Sequence, residues 1–124
     1  MYFNQERLNM SKIAYSKFRK VDGFIFVSGQ TGFTPVDKTI GDTIEEQTEQ
    51  TLKNVKAALK EAGASMKDIV KCSVFLKDMS EFRRMNSVYV NFFDDLPPAR
   101  TTVGASLSNP KMRIEIDAIA YVSE

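Results

Sequence analysis

Residues 43–78, TIEEQTEQTLKNVKAALKEAGASMKDIVKCSVFLKD, change their hydrophobic period midway, and that change decides the fold class. Thr43 and Glu46 form a T-x-x-E capping box, after which Ile44, Leu52, Val55, Leu59 and Ala62 recur at helical spacing. Glu45, Glu46 and Glu49 crowd the start and Lys53, Lys56 and Lys60 the end, as the helix dipole favours, and Gly63 is the stop signal. This predicts a helix over residues 43–62. From Asp68 the period drops to two, with Val70, Cys72, Val74 and Leu76 on one face of a strand and Lys71 and Ser73 on the other.

Working outward, SKFRKV and GFIFVSG are joined by Asp22-Gly23, which predicts a β-hairpin over residues 16–29. Downstream, Asp78 or Ser80 caps a second helix with Glu81 in its first turn and Phe82, Met85, Tyr89, Phe92 and Phe93 as its apolar stripe. Pro97 and Pro98 stop it. Two last strands, RTTVGAS and MRIEIDAIAYV, flank a turn at Asn109-Pro110 and are expected to pair antiparallel. The order β-β-α-β-α-β-β reads as a single α+β domain over residues 1–124: one mixed sheet with both helices on one face. The other face carries apolar groups as well. Ile119 and Tyr121 follow Arg113, Glu115 and Asp117 in the same register, and the strand Phe24 to Gly29 is apolar on both sides. A second copy of the chain is the expected cover, which makes the protein a homo-oligomer.

Composition narrows the chemistry. The 124 residues carry 17 Lys+Arg against 16 Asp+Glu, a formal charge of +1, so nucleic acid is a poor default partner. Histidine is absent, which removes Ser/His and Cys/His nucleophile pairs and His-ligated zinc. There is no GxGxxG, P-loop, CxxC or EF-hand pattern, so no nucleotide cofactor or metal is expected. A lone cysteine, a start (MYFNQERLNMSK) without an apolar signal region, and no run of about eighteen apolar residues read as a reduced, cytoplasmic protein without a membrane span.

Chemistry must then come from carboxylates, Arg, Lys, Tyr, hydroxyls, backbone groups and water. Arg100 follows Pro97-Pro98 at the head of a strand, with Thr102 pointing the same way. Its guanidinium is either a clamp for a small organic acid or a surface charge paired to Asp94, Asp95 or a cross-strand acid. Glu115, brought near Arg100 by antiparallel pairing of the last strands, is either a water-orienting base or half of a structural ion pair. Asn86, between Phe82 and Tyr89 on the second helix, is a packing amide or a ligand contact. Tyr15 covers a pocket or packs, and Ser28-Gly29-Gln30 is a close-approach point for a ligand or a plain turn.

Together, SGQ, QTEQTLKNVKAALKEAG, DIVKCSVFLKDMSEFRRMN, PPARTTV and IEIDAIA resemble the Rid/YjgF family of reactive-intermediate imine/enamine deaminases, over nearly the whole chain after residue 12. The resemblance implies a chorismate-mutase-like fold and a homotrimer with clefts between subunits. It implies that Arg100 binds the carboxylate of a 2-imino or 2-enamino acid and that Glu115 holds the water, with a backbone group near Thr102, Asn86, Tyr15 and Gly29 completing the site. The products would be a 2-oxo acid and ammonia, without cofactor. The chain differs from many members at Ile13-Ala14 before Tyr15, at Thr102, and in a short loop at residues 94–98. A non-catalytic trimer that binds 2-oxo acids is the alternative function, and a ribonuclease or translation inhibitor ranks below both.

Overall fold

A computed structural model describes residues 14–123; the amino-terminal dozen and Ile13 lie outside the described residues. The elements are β1 (Phe18–Val21), β2 (Phe24–Gln30), α1 (Ile44–Glu61), β3 (Ile69–Leu76), α2 (Phe82–Tyr89), β4 (Ala99–Gly104) and β5 (Ile114–Tyr121). Asp22 and Gly23, at φ 48° and 88°, make the β1–β2 turn, a pair of positive angles that Asp-Gly tolerates. The capping box forms: Glu46 N–H donates to Thr43 Oγ1, and the Glu46 carboxylate accepts from the Thr43 N–H, both over 3.1 Å. Gly63, at φ 87°, follows the cap residue Ala62.

One five-stranded sheet is ordered β1-β2-β5-β3-β4. Both helices pack on one face, over a core that includes Ile25, Leu52, Leu59, Val74, Met85 and Ile116. Cys72 lies in this core, fully buried, as its phase in the strand predicts. The second helix keeps its α form only to Tyr89 and tightens into a 3₁₀ turn over Val90–Phe92, so Phe92 and Phe93 reach the core from its end. Asp78 accepts from the Ser80 N–H at 2.9 Å, capping the 3₁₀ turn Met79–Glu81 that leads into α2.

Two expectations are corrected. Val70 is exposed rather than in the core, because the β3–β5 ladder slips between Ile69 and Lys71 and Ile69 takes the buried place. More consequentially, β4 and β5 form no hairpin. β3 lies between them, pairing parallel with β4 and antiparallel with β5, and β4 becomes a sheet edge.

On the sheet face away from the helices, Val21, Phe24, Phe26, Val103 and Tyr121 are each 41–45% exposed. Phe24 packs against Phe26 and edge-on to Tyr121, with centroids 6.2 and 5.0 Å apart. An apolar aromatic patch thus sits on the side that no helix covers.

Candidate functional site

Register alone separates the two residues expected to work together. Arg100 is level with buried Cys72 and Ala118, so it and Thr102 point to the helix-covered face; Glu115, between buried Ile114 and Ile116, points to the open face. With β3 interposed, the two are also about 10 Å apart across the strands and three residues out of step along them. Within one chain Arg100 and Glu115 do not meet, and the expectation of antiparallel contact is wrong.

Arg100 has its own surroundings. Nη1 donates to Oδ1 of Asn86 over 2.7 Å, and the guanidinium carbon lies 4.6 Å from the Tyr89 ring centroid and 5.5 Å from that of Phe82. Asn86, Phe82 and Tyr89 share one side of α2 because they are spaced by about one turn. No ion pair forms between Arg100 and Asp94, Asp95 or any other acid among the described residues. The guanidinium is half-buried, charged and without a counter-ion among the described residues. On the same face the Thr102 and Tyr89 hydroxyl oxygens are buried and unpartnered. Burial pushes the Tyr89 phenol well above its ordinary range, as does the adjacent Cys72 thiol; burial also raises Cys72.

The second group gathers where β2 ends. Val27 pairs with Ala118 but Gln30 with Ile116, so a bulge falls at Ser28-Gly29. A Cβ built on Gly29 would overlap the Glu115 carboxylate, so glycine is what lets the acid lie against this backbone. Ser28 ties down the preceding segment: its Oγ donates to the Ser16 carbonyl over 2.6 Å and its N–H to that of Lys17 over 3.0 Å. Tyr15 is thereby placed beside Gly29, Glu115 and Asp117 in a cavity of about 440 Å³, which Ser108 and Met112 help to line.

The six nominated residues therefore fall into two groups, Arg100, Asn86 and Thr102 on one side and Tyr15, Gly29 and Glu115 on the other. Sequence reading assigned Tyr89 and Phe82 to packing alone and missed their contact with Arg100; the spacing of Tyr89 three residues after Asn86 was the available signal. It also missed Gln47, a fully buried amide that donates to the Gly41 and Lys111 carbonyls and accepts from the Arg113 N–H. Nearby, the Glu81 carboxylate, almost fully buried, accepts from Arg113 over 2.9 Å.

Known proteins are similar to this chain in sequence and fold. The family described as Endoribonuclease L-PSP matches residues 7–122. A RutC family protein of Pyrococcus abyssi is 45% identical over 111 residues, 86% of this chain and 85% of its own. The structure of Escherichia coli TdcF with bound serine superposes with a TM-score of 0.85 at 33% identity, covering 91% of each chain. RidA from an Antarctic Psychrobacter gives 0.84 at 34% identity, over 90% of this chain and 91% of that one. A family match over residues 7–122 and relatives above 30% identity across most of their length show that the chain belongs to the Rid/YjgF family.

Proposed function

We propose that the protein hydrolyses 2-imino and 2-enamino acids to 2-oxo acids and ammonia, acting as a homotrimer in the cytoplasm with its sites between subunits. The observation that carries this reading is the state of Arg100, a half-buried guanidinium fixed by Asn86 and lacking any acidic partner among the described residues. Such a group is suited to a bidentate carboxylate. Its separation from Glu115 favours a site assembled from two copies, Arg100, Asn86 and Thr102 coming from one and Tyr15, Gly29 and Glu115 from the next. The exposed apolar sheet face supplies a surface for that assembly.

The chemistry asks little of the protein. A protonated imine is electrophilic at C2, so a held carboxylate and a placed water suffice. Arg100 binds the substrate carboxylate; Glu115 takes a proton from water as its oxygen adds to C2, giving a carbinolamine. Glu115 returns its proton to nitrogen, and the C–N bond breaks as the hydroxyl becomes the carbonyl and gives its proton back to Glu115. Ammonia leaves, taking up that proton as ammonium, and the 2-oxo acid remains. A backbone group near Thr102 steadies the substrate. The serine held by TdcF is consistent with a pocket for amino-acid-sized carboxylates.

The test is to generate 2-aminoacrylate with a dehydratase and follow the decay of its imine. Acceleration that disappears in Arg100→Ala supports the reading; no acceleration, or acceleration indifferent to Arg100, overturns it. Calorimetric binding of 2-oxobutanoate without turnover would favour the non-catalytic alternative.

A further inference from the structure

Tyr89 is placed oddly for a residue that only packs. The residue is 4% exposed, its buried hydroxyl makes no well-formed hydrogen bond although it lies beside the Cys72 thiol and the Arg100 guanidinium, and that guanidinium lies over its ring face. Arg100 makes one side-chain hydrogen bond among the described residues, to Asn86, and no ion pair. A half-buried permanent charge without a counter-ion needs stabilising from elsewhere, and the negative face of an aromatic ring provides it. The ring differs from a carboxylate in one decisive way: it attracts the charge without accepting from the N–H donors. An aspartate in its place would occupy the fork a ligand needs, whereas the ring leaves every donor except the one used by Asn86 open.

We infer that Tyr89 is a positioning residue: its ring face stands in for the counter-ion of Arg100 and holds the guanidinium ready for a 2-oxo or 2-imino carboxylate. This rests on the clamp reading of Arg100. The ring face does the holding, while the hydroxyl lies beside both the Cys72 thiol and the guanidinium. The class of ligand follows from the same geometry, since a monoanionic α-substituted carboxylate matches one positive fork backed by aromatic carbon.

The test places phenylalanine, difluorophenylalanine and pentafluorophenylalanine at position 89, rings of nearly one shape whose faces go from negative to positive. Binding of 2-oxobutanoate is measured by calorimetry, and KM and kcat with the in situ imine, while thermal unfolding checks that the fold is kept. With Tyr89→Phe as the reference of the series, the fully fluorinated ring should weaken binding by about a further tenfold, raising KM with little change in kcat. A flat series in a protein that binds 2-oxobutanoate overturns the inference alone. A wild-type protein that does not bind 2-oxobutanoate overturns the clamp reading, and the inference with it.

Discussion

The Arg100 guanidinium is joined to the Asn86 amide oxygen over 2.7 Å, a bond that ties the edge strand β4 to the middle of α2. Hydrogen bonds to charged groups contribute about 1.5–3 kcal/mol, so this one fixes where the positive fork points.

Asn86→Ala is therefore expected to weaken 2-oxobutanoate binding by about tenfold. Asn86→Asp should weaken it further, because it supplies the counter-ion that Arg100 lacks and competes with the ligand. Calorimetry on both variants checks the order; an aspartate variant that binds as well as wild type counts against the clamp.

Gly29→Ala tests the other half of the site. The new methyl overlaps the Glu115 carboxylate, which must swing away. Turnover should fall by at least about tenfold, while 2-oxobutanoate binding through Arg100 falls less, since displacing a base alters the chemical step more than anchoring. Equal losses in both would place Gly29 in binding rather than in support of the base.

Gln47→Ala should destabilise the fold without touching the site. It strands two carbonyls and one N–H, those of Gly41, Lys111 and Arg113, and leaves a hole in a buried helix face. A loss of about 3 kcal/mol is expected in urea unfolding. A loss below about 1 kcal/mol would mean that water replaces the amide.

Stability should fall in alkali. Burial raises both the Cys72 thiol and the Tyr89 phenol, so above their ordinary values the unfolded chain releases protons that the folded chain keeps. The unfolded state then binds fewer protons, and unfolding free energy drops as pH rises, from about pH 8.5 for Cys72 and about pH 10 for Tyr89. Cys72→Ala should flatten the first part of the decline and Tyr89→Phe the second, as read from denaturant midpoints across pH.

The sequence disclosed what is local. Capping at Thr43, the Asp22-Gly23 turn and the period-two burial of Cys72 are set by neighbours a few residues away, and all three appear in the structure. What it concealed is pairing. Alternation along β4 and β5 gives the faces of each strand but says nothing of which strand lies beside which, so the insertion of β3 went unseen and Arg100 was set beside Glu115. Val70 was misassigned for a similar reason, as a bulge shifts phase by one residue with no mark in the sequence. Gln47 was passed over because a glutamine in a helix is ordinary until its three backbone partners, up to 66 residues away, are known. The resemblance named six residues as one set; within the chain the fold places them in two groups.

If the site is shared between copies as proposed, the opposed directions of Arg100 and Glu115 make each chain a carrier of two unlike half-sockets. A protein of that design can be repaired by mixing. Arg100→Ala and Glu115→Ala chains, each inert alone, should regain activity when unfolded together and reassembled, because about a quarter of the junctions in an equal random mixture join two intact halves. The unit on which mutation acts would then be the junction rather than the chain, and one damaged copy would silence only one of the two junctions it shares.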